Sequence, residues 1–188
     1  MSEPVEFASA EAMRDWLAAH HDKAGELWVR LWKVATGRPS ITWEEGVREA
    51  LCWGWIDAVK RSEGDESWLQ RFTPRRKGSN WSERNRRHVD ELIAAGRMRA
   101  PGLAEVQAAR ADGRWDAAYA GPAGMEIPAD FLSALDAAPE RARATYETLN
   151  RRNLYAIYYR VTSAKWPETR AKRIAALIEV LARGERFH

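Results

Sequence analysis

Strand-like alternation in this 188-residue chain stops at Pro74. Before that point, Leu27 to Lys33 sets Leu27, Val29 and Leu31 against Trp28, Arg30 and Trp32, the period-2 pattern of a pleated strand. Ile56 to Lys60 and Trp68 to Thr73 read as two further short strands around a hairpin loop at Gly64-Asp65. After Pro74 every periodic segment repeats at helical spacing. This division predicts an α+β fold: a small antiparallel sheet with helices in the N-terminal half, a mostly helical C-terminal half, and no strand of five or more residues beyond residue 100.

Local signals place the helices. Ser9 caps Ser9 to Ala19, and Thr42 with Glu45 three residues on forms a capping box that starts a helix with its buried stripe at Val47, Ala50, Leu51 and Trp55. Ser79 or Ser82 caps a helix carrying Trp81, Asn85, His88 and Leu92 on one stripe and closed by Gly96. Further helices are expected at Leu103 to Ala111, Ala129 to Ala137, Glu140 to Leu149, Leu154 to Ala164 and Glu168 to Arg183, with Pro167 suited to the first position of the last one. The expected organisation is a small α+β subdomain over 1–78 and a helical subdomain over 79–188 packed on it, with 119–127 as a candidate linker because of Gly121, Pro122 and Gly124.

Composition narrows the function. Mean hydropathy of −0.57 and the lack of a long apolar run speak against membrane insertion. Glu3 and Glu6 stand where a secretory signal wants basic residues, so the cytoplasm is the expected location. The overall charge of +3 hides a net −5 over residues 1–70 and +6 over residues 71–99. Eight of the ten tryptophans fall in the first 81 residues, so the two halves differ in character.

Asp57 is the one carboxylate inside an apolar and aromatic run. Burying it is costly unless a cation pairs with it, and Arg71, Arg75 and Arg76 are the nearest candidates. The pair reads either as structural, ordering the sheet against the following helix, or as a carboxylate and guanidinium facing a tryptophan-lined pocket. Trp53 and Trp55 flank Gly54, whose missing side chain permits close approach of a backbone or ligand. Trp28 and Trp32, sharing a strand face with Arg30, are candidates for stacking on planar or cationic groups. Ser79, Trp81 and Asn85 complete the candidate ligand-binding set.

The motif order Ala50-Leu-Cys-Trp-Gly-Trp-Ile-Asp57, Thr73-Pro-Arg-Arg76, Ser79-Asn-Trp-Ser-x-x-Asn85, Gly96-Arg-Met98 and Ala164-Lys-x-x-Glu-Thr-Arg170 resembles the bacterial YdeI/OmpD-associated family, also called OmdA-like or bacteriocin-protection. Ala58 stands where the family places glycine, and Trp166 where it more often has a basic residue. The resemblance implies a role in protection against bacteriocins and association with an outer-membrane porin, without an established reaction. The function expected is therefore a cytoplasmic bacteriocin-protection or stress-type protein that binds a small molecule or protein partner through an aromatic and arginine-rich cleft.

Two other readings compete. One is an enzyme with Asp57 as general base beside an arginine anion binder. The other is nucleic-acid binding by the basic stretch 71–87, ranked behind because Arg86 with Asp90 and Arg87 with Glu91 have helical pair spacing, and no helix-turn-helix, zinc or ribonucleoprotein signature is present. Cys52 has apolar neighbours and no histidine brought to it by position, and His20, His21 and His88 have poor spacing for a metal. No metal and no cofactor are expected.

Overall fold

A computed structural model describes residues 3–188. Its first elements are β1 (Val5–Glu6), α1 (Ala10–His20), β2 (Leu27–Trp32), a single 3-10 turn (Val34–Thr36), α2 (Trp43–Cys52), β3 (Trp55–Glu63) and β4 (Ser67–Pro74). Local chemistry fixes the helix starts as read from the sequence. Ser9 accepts from the Ala12 N–H at 3.4 Å, and Thr42 and Glu45 close a reciprocal capping box. Met13 and Leu17, four residues apart on α1, are both buried.

The strands make one sheet in the order β1-β2-β4-β3. Both β4 ladders are antiparallel, but β1 runs parallel to β2, so the expected antiparallel sheet is four-stranded and mixed. A two-residue strand carries no alternation of its own. Val5–Glu6 is a strand only because it pairs with Val29 and Arg30.

Leu27 lies opposite Phe72, and with Val29 and Leu31 it forms the buried face of the sheet. The opposite face carries Trp28, Arg30 and Trp32. Between Asp57 and Lys60 the β3–β4 register shifts, so that Asp57 opposes Phe72 while Lys60 opposes Gln70. This is a bulge at Ala58 and Val59. Buried Gln70 holds it, its Nε2 donating to Val59 O at 3.3 Å and to Arg71 O at 3.2 Å. Among the described residues no residue other than glycine has positive φ, so Ala58 serves here without strain.

Two helices follow, α3 (Glu83–Ala94) and α4 (Ala100–Ala111). Beyond Gly96, the Arg97 N–H returns to Leu92 O at 2.9 Å and so ends α3 as the sequence predicted. The start of α4 abuts the end of α2: the Arg99 N–H donates to Cys52 O at 3.0 Å, and a Cβ on Gly102 would lie 2.4 Å from that same oxygen. Glycine at 102 is therefore required by close backbone approach.

The chain divides into two compact units. The first is the chain through Trp81 with Asn85–Ala117, and the second is Ser82–Arg84 with Ala118–His188. A boundary at 78 falls inside the first unit, because α3 and α4 supply it with buried Val89, Leu92, Val106 and Ala109, and Trp81 packs on Trp115 with ring centroids 5.0 Å apart. The stretch 119–127 opens the long segment of the second unit. Ser82 joins that unit through a bridge to Tyr119.

The second unit contains α5 (Ala129–Asp136), α6 (Glu140–Glu147), α7 (Arg151–Thr162) and α8 (Pro167–Ala182), with Pro167 in the first turn of α8 as its sequence position indicates. Its core is Phe131, Leu135, Leu149, Ile157, Val161, Ile174, Leu177 and Leu181. Buried Asn153 ties down the following chain by accepting from the N–H groups of Phe187 and His188 at 2.8 and 3.1 Å. No strand of five or more residues lies beyond residue 100 among the described residues.

Candidate functional site

The bulge sets the geometry around Asp57. A cavity of about 440 Å³ opens there, lined by Trp43, Asp57, Ala58, Lys60, Trp68 and Gln70, within the volume range of small-ligand sites. Trp43 is the first residue of α2, so the capping box that starts the helix also fixes where this indole begins. Its Nε1–H donates to Asp57 Oδ2 at 3.3 Å. Lys60 Nζ sits 4.6 Å from the centroid of the Trp68 ring, a cation over an indole face. The result is a carboxylate, an ammonium group and two indoles around one half-open space.

The other candidate residues are dispersed. Arg71 lies opposite Trp28 in the β2–β4 ladder, with its guanidinium 5.7 Å from that ring and 3.6 Å from Glu26. Arg75 is buried 3.5 Å from the centroid of Trp81, and its Nη1 donates to Asn80 O at 3.2 Å. Arg76 and Ser79 close a turn on each other through the Arg76 N–H and Ser79 Oγ at 3.1 Å. None of these three arginines lines the Asp57 cavity.

Trp55 is 1% exposed, with its Nε1–H on His21 O at 3.2 Å and its ring edge-on to Trp16, so it is core. Trp32 lies under Arg38 at 4.0 Å and donates to Glu6 at 3.1 Å. Trp53 rests on His21, ring centroids 4.4 Å apart. Asn85 stands half-buried in the first turns of α3.

Electrostatics place the basic stretch differently from its helical spacing. Asp90 is 3.9 Å from Arg110, Glu91 takes Arg48, and Arg86 lies 5.4 Å from the Trp115 centroid; the expected pairs Arg86–Asp90 and Arg87–Glu91 give way to partners from other elements. Arg75, Trp81, Trp115, Arg86 and Arg110 thus form a column of guanidinium groups and indoles.

A second polar cluster carries no sequence signal. Glu49, 2% exposed on α2, receives Arg14 Nε and Nη2 at 3.3 and 3.2 Å and also Arg97. Its partners stand 35 and 48 residues away, so no local pattern could have announced it. Beside it, burial pushes the Cys52 thiol up to about 11, with the nearby Glu49 charge adding to the rise. At neutral pH that sulfur is a neutral thiol and not a nucleophile.

In the second unit, an apolar groove of about 720 Å³ runs between α5 and α8 over Ala134, Ala138, Ala171, Ile174 and Ile178. At its rim Arg170 spends Nε and Nη2 on Asp130 at 2.6 and 2.8 Å and Nη1 on Val161 O at 3.0 Å. Among the described residues no group of side chains is arranged to hold a metal, and no helix is long and apolar enough to cross a membrane.

Comparison with protein families divides the sequence in two. Residues 5–105 match the family model described as "Domain of unknown function (DUF8412)", and residues 124–184 match "Bacteriocin-protection, YdeI or OmpD-Associated". Of the motifs quoted above, Ala164–Arg170 lies in the second match, whereas those between Ala50 and Met98 lie in the first. No curated protein and no solved structure matches.

Proposed function

Since the chain belongs to the bacteriocin-protection, YdeI or OmpD-associated family through residues 124–184 and carries a domain of unknown function ahead of that segment, we propose that it is a cytoplasmic protection-type protein whose N-terminal unit binds a small molecule bearing a cationic group. The observation that carries this reading is the Trp43 Nε1–H held on Asp57 Oδ2 at 3.3 Å in a cavity whose other aromatic wall, Trp68, already has an ammonium group over its face. A carboxylate aimed by an indole N–H pairs with a cation, and flanking indole faces add cation–π attraction. Lys60 is the internal stand-in that such a ligand displaces.

The test is calorimetric titration of the whole chain with choline, agmatine and, as an anionic comparator, succinate. The expected result is saturable binding of at least one of the two cations and none of succinate, with Asp57→Asn weakening binding by at least about tenfold, the order of one charge-assisted contact. Trp43→Phe keeps an aromatic face, though a smaller one, and removes the N–H, and should give a smaller loss. Binding of neither cation, or equal binding by Asp57→Asn with its fold intact, refutes the reading.

A further inference from the structure

The small cavity beside Glu49 has a different polarity. It is about 80 Å³ and is lined by Arg14, Glu49, Cys52, Trp53, Gly96, Arg97 and Arg99. Three guanidinium groups face one carboxylate there. Arg14 spends Nε and Nη2 on Glu49, with Nη2 also 3.7 Å from Glu11, and Arg97 spends Nη2 on Glu49, which leaves Nη1 of Arg14 and Nε and Nη1 of Arg97 unused. The Arg99 side chain, exposed at the start of α4, has no acceptor among the described residues, and the Trp53 Nε1–H is buried without one. Buried donors are rarely left without acceptors, and an excess of positive charge attracts a counter-charge.

We infer that this cavity binds a phosphate-class oxyanion, accepted by Arg99, Arg97 and the Trp53 indole N–H, with Glu49 holding Arg14 and Arg97 in place. The volume admits a single oxyanion and not a nucleotide, so the ligand is a free phosphate or the phosphoryl end of a molecule whose remainder lies outside. A phosphate group carries about −1.5 to −2 charge near neutral pH, against an excess of two positive charges among the lining side chains, part of which exposed Glu11 offsets from outside the cavity at 3.7 Å from Arg14. Cys52 adds no competing negative charge, because burial keeps its thiol protonated. The site is separate from the Asp57 cavity and shares no lining residue with it.

Indole N–H resonances of the whole ¹⁵N-labelled chain read this directly. Titration with inorganic phosphate should move one of the ten tryptophan indole cross-peaks saturably, and that peak should be the one missing from Trp53→Phe. Arg99→Ala, which retains the backbone N–H that meets Cys52 O, should weaken the apparent affinity about tenfold with no change in melting temperature. Acetate at the same concentration, with one charge, should bind several-fold more weakly. A stationary Trp53 peak, an unchanged affinity in Arg99→Ala, or equal affinity for acetate overturns the assignment.

Discussion

Gly102→Ala sets two effects of opposite sign against each other at one helical position. Alanine favours a helix over glycine by about 1 kcal/mol, so propensity alone predicts stabilisation. The new Cβ would stand 2.4 Å from Cys52 O and 2.7 Å from Leu51 O, both backbone atoms that no rotamer change can move. To bring the shorter contact even to 3.0 Å, the first turn of α4 must retreat by roughly 0.6 Å, which stretches the Arg99 N–H to Cys52 O bond of 3.0 Å. Overpacking of this kind costs about 1–3 kcal/mol and a weakened hydrogen bond about 0.5–1.5 kcal/mol. The net expectation is a loss of about 1–3 kcal/mol, since the steric terms outweigh propensity. Urea denaturation followed by tryptophan fluorescence should show a lower midpoint at unchanged slope. Gly25→Ala is the control: no atom lies within 4 Å of its Cβ, and stability should hold or rise slightly. A Gly102→Ala protein as stable as its parent would refute the claim that this backbone contact fixes α4 on α2.

The Asp130 carboxyl is held below the usual aspartate value of 3.8 by the bidentate Arg170. A carboxyl depressed in the folded state contributes stability above its unfolded value and loses it as pH falls through the folded one. The melting temperature of Asp130→Asn should therefore fall below the parent's at pH 7, by a small amount because both side chains are partly exposed, and the gap should close as the pH drops below 3.8; a gap that persists to the acid limit removes the ion pair as its cause. Cys52, buried and with its thiol raised to about 11, should resist iodoacetamide in the native protein at mildly alkaline pH and react readily in urea. Rapid native alkylation, followed by mass spectrometry, would show that the thiol is neither buried nor neutral.

What could be read from the sequence is what short-range chemistry decides. Ser9, the Thr42–Glu45 box, Gly96 and Pro167 each act within one helical turn, and each stands where its residue type predicts. The limit of strand structure near Pro74 was legible for the same reason: alternation and helical periodicity differ over a few residues. Val5–Glu6 was not legible, because a two-residue strand exists only through the partner it pairs with 24 residues away.

The sites divide along the same line. Asp57 was visible as a carboxylate in an aromatic run, but the groups that shape its cavity, Trp43 14 residues before it and a bulge pinned by Gln70, depend on how α2 meets the sheet. Charge proximity in sequence was a poor guide to pairing in the basic stretch. Asp90 and Glu91 each had an arginine at helical spacing, yet Arg110 and Arg48 reach them from other elements while Arg86 lies over Trp115. An exposed helical pair contributes only a few tenths of a kcal/mol, so a buried indole or a cross-element partner readily replaces it. Abundant tryptophan strengthens that competition: each indole within reach offers an arginine an alternative to carboxylate. In a chain with ten tryptophans and thirty basic residues, the location of anion-binding positive charge follows from which guanidinium groups the indoles and carboxylates leave unused. By that criterion Arg99 and the unspent nitrogens of Arg97 stand out because they line one cavity together, whereas in the stretch 71–87 Arg71, Arg75 and Arg86 lie over indoles.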